Sequence, residues 1–463
     1  MSHANLDAFF DPDSVAIVGA PRETGVGAFN VVENLLEFGY EGEVYPINPK
    51  ADTVVGMEAY DHVGQIDDPV DHAVVFLPRD YVVDAVEGCG KKGIQAVTIP
   101  SQGFADAGEE GRQLQDELLS VAAEYDVDVV GPNTMGVHSF ATDFTTAFAP
   151  IAQREYDPIA VVSQTGLFSM SFPDLEYAKF LDLGNASDVD HVDAIRYFAD
   201  DPEIEQVFLH IEGLQEGRGR DFVEAAREAT AGGTAVITHK TGESELGRQQ
   251  AESHTGSLLG ADAVFDGACK QGNVIRVHDY TETQAVSNGL RELPPMDGNG
   301  IGMITHHGGA GIMTMDAVAD THLELPEISE ETAGAVAELS PGWLEIGNPI
   351  DVGPATLGDT ATAHEVAIEA ALEDDAIDGV LLSVHIADPS PWPVGVWGHV
   401  DAIEDLAPAY DKPVVVVPVG TDQSETRARL ADTENATVAD DVPQAVCMFE
   451  ALSQFTAASG GDH

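Results

Sequence analysis

Basic residues are scarce in this chain of 463 residues. Lysine and arginine together number 20, against 81 aspartates and glutamates, which gives a formal net charge of -61 and a pI near 4.1. The acids are spread along the whole chain, so we expect a solvated acidic surface and no nucleic acid as a partner. Self-repulsion of this size destabilises a compact fold unless concentrated salt screens it. The composition is therefore typical of a protein from a halophile.

Cysteine and long apolar runs are also lacking. The three cysteines, Cys89, Cys269 and Cys447, have no CxxC spacing, which is typical of reduced thiols in a cytoplasmic protein. No apolar run approaches about 18 residues, so we expect no membrane span. The first residues have neither the basic region nor the apolar region of a signal peptide, so we expect no export signal.

Two common nucleotide-binding motifs are missing as well. The sequence contains no G-x-x-x-x-G-K phosphate loop, and its first glycine-rich turn does not fit G-x-G-x-x-G because Pro21 replaces the second glycine. That turn nevertheless follows a predicted strand within residues 14–20 and precedes a predicted helix, residues 30–38, and a second strand, residues 44–48. The spacing predicts a doubly wound, Rossmann-like parallel sheet.

The loops of this first domain favour coenzyme A over NAD(P). Lys50 lies where an NAD site would place an acid for the ribose hydroxyls, and a lysine there suits the additional ribose phosphate of coenzyme A. NAD(P) binding, and a scatter of surface bases without any ligand, stay open as alternatives. The candidate cofactor-binding residues are Gly19, Ala20, Arg22, Gly25, Gly27, Asn48, Lys50, Pro78 and Arg79.

A single histidine lies among small residues in the stretch 251–260, which reads AESHTGSLLG. Small neighbours leave room for a tetrahedral anion beside the ring of His254, and Gly256 and Gly260 allow the backbone to approach closely. The stretch therefore favours a histidine that carries a phosphoryl group. A polar loop ahead of a capped helix is the alternative that this stretch leaves open.

A strand, a turn of small residues and a helix are predicted in the middle of the chain from residues 159–166, and again from residues 301–311. A helix that begins at such a turn directs free amides and about half a positive charge at a bound anion. Each turn is therefore a candidate phosphate site. The candidate residues are Ser163, Gln164, Thr165, Gly166, Gly308, Gly309, Ala310 and Gly311.

A carboxylate is expected near the histidine. Glu212 follows the predicted strand 206–211, and His254 follows the next strand, 235–238. Both can lie at the carboxyl edge of one sheet, where a carboxylate that accepts a hydrogen bond from one ring nitrogen leaves the other nitrogen as a nucleophile. An exposed acid without this role stays open as the alternative, and His210 could compete for it.

No metal site is predicted. The adjacent residues His306 and His307 could be a metal pair, but the side chains of neighbours at the end of a strand diverge. Beyond the linker at 293–300, bases are too few to hold a triphosphate, so we expect ADP or ATP to be held by another polypeptide.

Several short motifs resemble a known family over essentially the whole chain. They are residues 14–27, YPINPK at 45–50, GPN at 131–133, SQTG at 163–166, LGN at 183–185, IEG at 211–213, SHTGSL at 253–258 and NPID at 348–351. In this order and spacing they are similar to the alpha subunit of ADP-forming acetyl-CoA synthetase, in the succinyl-CoA synthetase superfamily.

The resemblance implies an α/β fold: a Rossmann-like CoA-binding domain, residues 1–140, followed by two flavodoxin-like parallel-sheet domains, residues 150–290 and 298–463. It implies an acid–thiol ligase that converts acyl-CoA, phosphate and ADP into carboxylic acid, CoA and ATP through an acyl phosphate and a phosphohistidine. His254 would be the phosphorylated residue, and Glu212 its supporting carboxylate.

The resemblance also implies a partner. Coenzyme A would bind to this chain, whereas Mg2+ with ADP or ATP would be held mainly by a separate ATP-grasp beta subunit in a heterotetramer. The sequence departs from the family pattern at residues 168–173 and 306–307, which leaves the acyl group open. The alternatives to a ligase are an NAD(P)-linked oxidoreductase and a non-catalytic CoA-binding regulatory or scaffold protein.

Overall fold

The computed structural model describes residues 6–25, 27–166, 175–244, 246–247, 262–354, 360–386, 398–420 and 423–460. Packing divides the chain into two compact units, Met1–Val277 and His278–His463. The helix predicted after Gly166 and the loop around His254 both lie outside the described residues. Among the described helices, none is both long enough and apolar enough to cross a membrane.

The first sheet is parallel and five-stranded. Its strands are β1 (Ser14–Val18), β2 (Glu43–Ile47), β5 (His72–Val75), β6 (Ala96–Thr98) and β7 (Asp128–Val130), while β3 (Thr53–Val54) and β4 (Met57–Glu58) form a separate antiparallel pair. The strand order is β2-β1-β5-β6-β7. The accompanying helices are α1 (Asp7–Phe10), α2 (Val31–Phe38), α3 (Val82–Lys92) and α4 (Glu109–Tyr125).

The first long helix of this sheet has clear signals at both ends. The side chain of Asn30 caps α2, because its Oδ1 accepts hydrogen bonds from the amides of Val32 at 3.1 Å and Glu33 at 3.3 Å. The helix ends at Gly39, which has a left-handed φ of 113° that residues with a side chain rarely adopt. The helix predicted at residues 30–38 is thus confirmed.

The second sheet also belongs to unit one. Its strands are β8 (Val137–Ser139), β9 (Phe144–Thr145), β10 (Ile159–Ser163), β11 (Lys179–Asp182), β12 (Gln206–Ile211), β13 (Ala235–Lys240) and β14 (Ile275–Val277). They lie in the order β14-β13-β12-β10-β11-β8-β9, and β8 pairs antiparallel with both of its neighbours, β11 and β9. The described helices here are α5 (His191–Ala199), α6 (Gly219–Ala231) and α7 (Asp262–Gly272).

The third sheet forms the centre of unit two. Its strands are β15 (Ile301–Thr305), β16 (Ile350–Asp351), β17 (Gly379–Ile386), β18 (Val414–Gly420) and β19 (Ala436–Val438), in the order β16-β15-β17-β18-β19. All of these strands pair in parallel. The described helices are α8 (Tyr280–Glu292), α9 (Gly308–Val318), α10 (Glu330–Leu339), α11 (Thr360–Glu373), α12 (Gly398–Leu406), α13 (Ser424–Leu430) and α14 (Val442–Ser459).

All three sheets share one topology. When the five mutually parallel strands of each sheet are numbered in chain order, each sheet has the order 2-1-3-4-5 of flavodoxin-like folds. The predicted α/β class with successive parallel-sheet domains is therefore confirmed. In such sheets ligands bind at the carboxyl ends of the strands, where the first strand lies beside the third. These places are β1 beside β5, β10 beside β12 and β15 beside β17.

Two elements pack across the domain boundaries expected from the sequence. β8 lies within residues 1–140, yet it extends the second sheet by pairing with β11. Most of α8 lies within residues 150–290, yet this helix packs against α14 in unit two. In both cases the buried apolar face of the element decides its place, since Val137 and Val286 are both buried.

Candidate active site

The turn after β10 is tied to the end of β12. Ser163, fully buried at the end of β10, donates from Oγ to the carbonyl of Thr165 at 2.9 Å and accepts from its amide at 3.0 Å. The side-chain oxygen of Gln164 accepts from the amides of Glu212 at 2.8 Å and Gly213 at 3.1 Å. The structure therefore brings the predicted residues of the SQTG turn and Glu212 together at one sheet edge.

A second carboxylate lies at this edge and was missed by sequence reasoning. Asp182, at the end of β11 and 1% exposed, accepts from the amides of Met135 at 2.6 Å and Gly184 at 3.1 Å. Gly166 packs directly on it, because a Cβ there would lie 2.0 Å from Met135 Cγ and 3.0 Å from Asp182 Oδ2. The LGN motif that follows Asp182 was the available signal.

Asp182 is an acid that titrates near neutrality. Burial raises its pKa to about 7, and the hydrogen bonds from Met135 and Gly184 lower it without cancelling that effect. The nearby charge of Glu212 raises it further. The carboxylates of Glu212 and Asp182 therefore repel each other beside the turn that contains Gly166.

We expect Asp182→Asn to remove part of the pH dependence of stability. The carboxyl holds its proton more tightly in the folded chain, so its contribution is complete below the ordinary pKa of 3.8 and is lost as pH rises through about 7. The difference in free energy of unfolding, wild type minus variant, should fall by up to roughly 4 kcal/mol from pH 4 to pH 8, at about 1.4 kcal/mol per pH unit. Denaturant unfolding at several pH values measures it, and a constant difference would contradict the assignment.

His210, the alternative supporting group, is an interior residue of the second sheet. It lies inside the sheet on β12, opposite His239 of β13, with the two Nδ1 atoms 3.1 Å apart. Burial, followed by the charges of His239 and His191, lowers the pKa of His210 to about 3. His210 is thus a neutral interior histidine, whereas Glu212 lies just beyond the end of β12.

The turn after β15 has the same hydrogen-bond pattern as the turn after β10. Thr305 Oγ1 donates to the carbonyl of His307 at 3.1 Å and accepts from its amide at 3.0 Å. α9 then begins at Gly308, and both Gly308 and Gly309 are exposed. Among the described residues, a Cβ at Gly309 would meet nothing within 4 Å and one at Gly308 only Asp351 Oδ2 at 3.8 Å, so packing within this part of the chain does not require these glycines. They leave space in which an anion can approach the amides.

The backbone amides of the other two predicted residues of that turn, Ala310 and Gly311, form the first hydrogen bonds of α9. The amides of Ala310 and Gly311 donate to the carbonyl of His307 at 2.9 and 3.4 Å. Gly311 also packs on the side chain of Pro349, whose Cβ and Cγ would lie 3.1 Å from an added Cβ. Ala310 and Gly311 are therefore explained by the fold alone.

The first glycine-rich turn is fixed by strand β2. The amides of Gly19 and Ala20 both donate to the carbonyl of Ile47, at 2.9 and 3.1 Å. Gly19 has a φ of 87°, and a Cβ there would lie 2.3 Å from the carbonyl oxygen of Phe76. Asn48 connects the two loops, because Nδ2 donates to the carbonyl of Ala20 at 2.8 Å and Oδ1 accepts from the amide of Lys50 at 2.9 Å.

The loop that follows is open toward solvent. Gly25 and Gly27 have φ values of 90° and 88°, and a Cβ at either would meet no atom of the described residues within 4 Å. Nδ2 of the buried Asn30 donates to the carbonyls of Pro21 at 3.2 Å and Glu23 at 2.9 Å, so one side chain holds the loop and caps α2. Asn30 is a positioning residue that sequence reasoning missed, although its place before a helix was visible.

The predicted bases of this site differ in their surroundings. Arg22 and Lys50 are exposed, and within the described residues neither side chain has an ion pair. Arg79 donates to the carbonyl of Gly103 at 3.0 Å and lies 3.7 Å from Glu110, so its guanidinium is already held by the protein. Pro78 is exposed just before it. Among so many acids, two unpaired cations on adjacent loops suit a phosphorylated ligand.

We expect Lys50→Gln to weaken the binding of coenzyme A about tenfold, because an exposed contact between a cation and a phosphate contributes about 1.4 kcal/mol. Affinity for 3′-dephospho-coenzyme A should stay unchanged. Isothermal titration at one fixed salt concentration measures both ligands. Lys270→Gln is the matched control, since Lys270 is exposed and paired with Asp266 at 3.0 Å on α7. Equal affinities of Lys50→Gln and wild type for coenzyme A would refute the assignment.

Models of known domains match nearly the whole chain. A CoA-binding domain matches residues 13–139, a flavodoxin domain like that of succinyl-CoA ligase matches residues 157–290, and a ligase-CoA domain matches residues 301–454. Together with the three sheets and their edges, these matches define a CoA-binding protein of the succinyl-CoA ligase-like class.

Individual relatives narrow this class. The chain is 34% identical over 358 residues to the alpha subunit of ADP-forming acetate–CoA ligase I from Pyrococcus furiosus, which covers 75% of this chain and 76% of the relative. It is 32% identical to ADP-forming acetate–CoA ligase II from Archaeoglobus fulgidus, over 82% of this chain but only 57% of that longer protein. This chain belongs to the family of ADP-forming acetate–CoA ligase alpha subunits.

A solved structure agrees with this membership. An acetyl-coenzyme A synthetase 1 of Ca. Korarchaeum cryptofilum, in complex with phosphate and ADP, superposes with a TM-score of 0.83 at 27% identity. The match covers 99% of this chain and 98% of that chain.

Proposed function

We propose that this chain is the CoA-binding, histidine-phosphorylated subunit of an ADP-forming acyl-CoA synthetase, acting on acetyl-CoA or a related acyl-CoA. The main support is the pair of hydrogen bonds from the amides of Glu212 and Gly213 to the side chain of Gln164. These bonds hold Glu212 beside the turn that follows Ser163, where we expect a phosphate to bind. Family membership with acetate–CoA ligase alpha subunits supports the acyl class.

The proposed reaction has three steps. An oxygen of inorganic phosphate attacks the thioester carbonyl, the carbon–sulfur bond breaks, and coenzyme A leaves as the thiol with a proton. A ring nitrogen of His254 then attacks the phosphorus of the acyl phosphate and releases the carboxylate. Finally, ADP takes the phosphoryl group from His254 and becomes ATP. The phosphohistidine thus separates thioester chemistry from nucleotide chemistry.

Each part of the chain has a task in this scheme. Glu212 accepts a hydrogen bond from one ring nitrogen of His254 and so leaves the other to carry the phosphoryl group. Each of the turns at residues 163–166 and 308–311 is assigned to phosphate, and in the second turn the open space at Gly308 and Gly309 would let a phosphate oxygen reach their backbone amides.

The loops of the first sheet suit coenzyme A. The exposed cations Arg22 and Lys50 would hold its phosphates, and the open glycines Gly25 and Gly27 would let the backbone approach the ligand. Gly19, Ala20 and Asn48 would act through the shape of the turn, since their polar groups bind protein atoms. Pro78 and Arg79 would line the neighbouring loop.

ADP or ATP, with Mg2+, is assigned mainly to a partner, an ATP-grasp beta subunit in a heterotetramer. The scarcity of bases after Lys270 supports this division, as does the separate naming of the alpha subunit in a relative. We further propose three functional domains at residues 1–140, 150–290 and 298–463.

Phosphate uptake by the isolated chain tests the proposed function. The chain is incubated with acetyl-CoA, inorganic phosphate and Mg2+ in concentrated KCl, and its intact mass and the acid lability of bound phosphate are measured. We expect one acid-labile, base-stable phosphoryl group per chain. A folded chain that binds coenzyme A but takes up no phosphate from acetyl-, propionyl-, succinyl- or aryl-acetyl-CoA, even with an ATP-grasp subunit present, would overturn the proposal.

A further inference from the structure

Three histidines from different elements of unit two converge at the carboxyl edge of the third sheet. His306 directly follows β15, His364 lies on α11 and His399 lies at the start of α12. One ring nitrogen from each of them lies within 4.8 Å of the corresponding nitrogens of the other two. The cluster adjoins the turn that leads into α9, since His306 belongs to both.

The three rings pack on one another. The ring centroids of His364 and His399 are 4.1 Å apart, those of His306 and His364 are 4.3 Å apart, and those of His306 and His399 are 5.2 Å apart. His364 is 0% exposed and His399 is 3% exposed, whereas His306 is half-buried. A neutral imidazole has one nitrogen lone pair to offer a metal ion, and three such rings converge here.

We propose that His306, His364 and His399 bind one divalent transition-metal ion, with zinc as the ion that this ligand set suits best. Zinc–nitrogen bonds of about 2.0–2.1 Å at tetrahedral angles place ligand nitrogens roughly 3.4 Å apart, which small ring rotations can reach from the observed spacing. Three imidazoles select zinc, cobalt or nickel over magnesium and calcium, which prefer oxygen. One coordination position remains for water or an oxygen of a bound anion.

His307 is not part of the cluster. Its ring centroid lies 5.8 Å from that of His306, and its side chain is exposed. It is therefore a matched control: a neighbouring histidine on the same turn that should not contribute to metal binding. The proposal does not depend on the ligase reaction, because its test measures metal binding alone.

The experiment is a metal titration of the full chain after removal of metal with a chelator. Zn2+ is titrated by calorimetry in an excess of Mg2+, which occupies surface carboxylates without competing for imidazoles. We expect one Zn2+ per chain to bind under these conditions. In a parallel titration, Co2+ should produce the intense visible absorption of tetrahedral nitrogen coordination.

Variants locate the site. We expect His306→Asn, His364→Ala and His399→Ala to weaken Zn2+ binding by at least about 100-fold, and His307→Asn to bind as wild type does. His364 and His399 are buried, so circular dichroism is used to check that their variants fold. His306 is only half-buried, and His306→Asn tests the metal site by itself if those variants do not fold. Zn2+ uptake that excess Mg2+ abolishes, or that His306→Asn leaves unchanged, would overturn the proposal in favour of a hydrogen-bonded imidazole cluster.

Discussion

Replacing His254 by alanine is expected to abolish the incorporation of phosphate into the chain. No other group in the proposed mechanism accepts the phosphoryl group from the acyl phosphate, so the loss should be complete within detection, corresponding to at least about 10⁴-fold in rate. Binding of coenzyme A should persist, because the loops assigned to it belong to the first sheet. Intact mass after incubation with acyl-CoA, phosphate and Mg2+ measures the first effect, and calorimetry the second.

His278→Ala is the control for this experiment. His278 is an exposed histidine at the start of unit two, and the change removes the same side chain without touching the proposed phosphate sites. It should take up phosphate as wild type does. If His254→Ala still gained an acid-labile phosphate, another residue would have to be the acceptor, and the assignment from the SHTGSL motif would be wrong.

The main strands and their parallel direction could be anticipated from the sequence for simple reasons. Fully buried parallel strands require continuous apolar runs, and β1, β10 and β15 are such runs, each followed by small residues. A short turn and a helix after each run then predict a right-handed crossover to a parallel neighbour. The turns after β10 and β15 are similar in sequence, and the hydroxyls of Ser163 and Thr305 at their starts make the same pair of hydrogen bonds.

The interior of the sites could not be anticipated in the same way. Asp182 was not singled out from the sequence, and only its burial against Met135 and Gly184 makes it unusual. Gly19 and Ala20 were predicted to bind the cofactor, but in the fold both of their amides donate to the carbonyl of Ile47. Such pairings depend on which strand lies alongside, and the sequence of one segment does not contain that information.

The histidine cluster illustrates the same limit over a longer distance. The sequence draws attention to the adjacent pair His306 and His307, because they are neighbours in the chain. In the fold, His306 packs against His364 and His399, which follow 58 and 93 positions later in the numbering. No ligand spacing within one helix or one loop connects these residues, so only the convergence of three elements at one sheet edge reveals the cluster.

Replacing Glu212 by glutamine is expected to slow phosphoryl transfer to the chain by about 10²- to 10⁴-fold. The amide of glutamine has nearly the same shape but no charge, so it can neither fix the tautomer of His254 as firmly nor stabilise the positive ring that forms on phosphorylation. The backbone should stay in place, because Gln164 accepts from the amides of Glu212 and Gly213 and not from the side chain that changes. Single-turnover phosphate incorporation measures the rate.

Glu216→Gln is the matched control for this variant. Glu216 is exposed and lies four positions further along the same connection, so the change removes the same charge from the same neighbourhood. A purely long-range effect of removing one acid from a chain with 81 acids would slow or accelerate both variants alike. A large loss in Glu212→Gln alone, with unchanged affinity for coenzyme A, places the effect at the histidine. Equal rates in the two variants would mean that Glu212 is an ordinary acid at a strand end and that another group orients the ring.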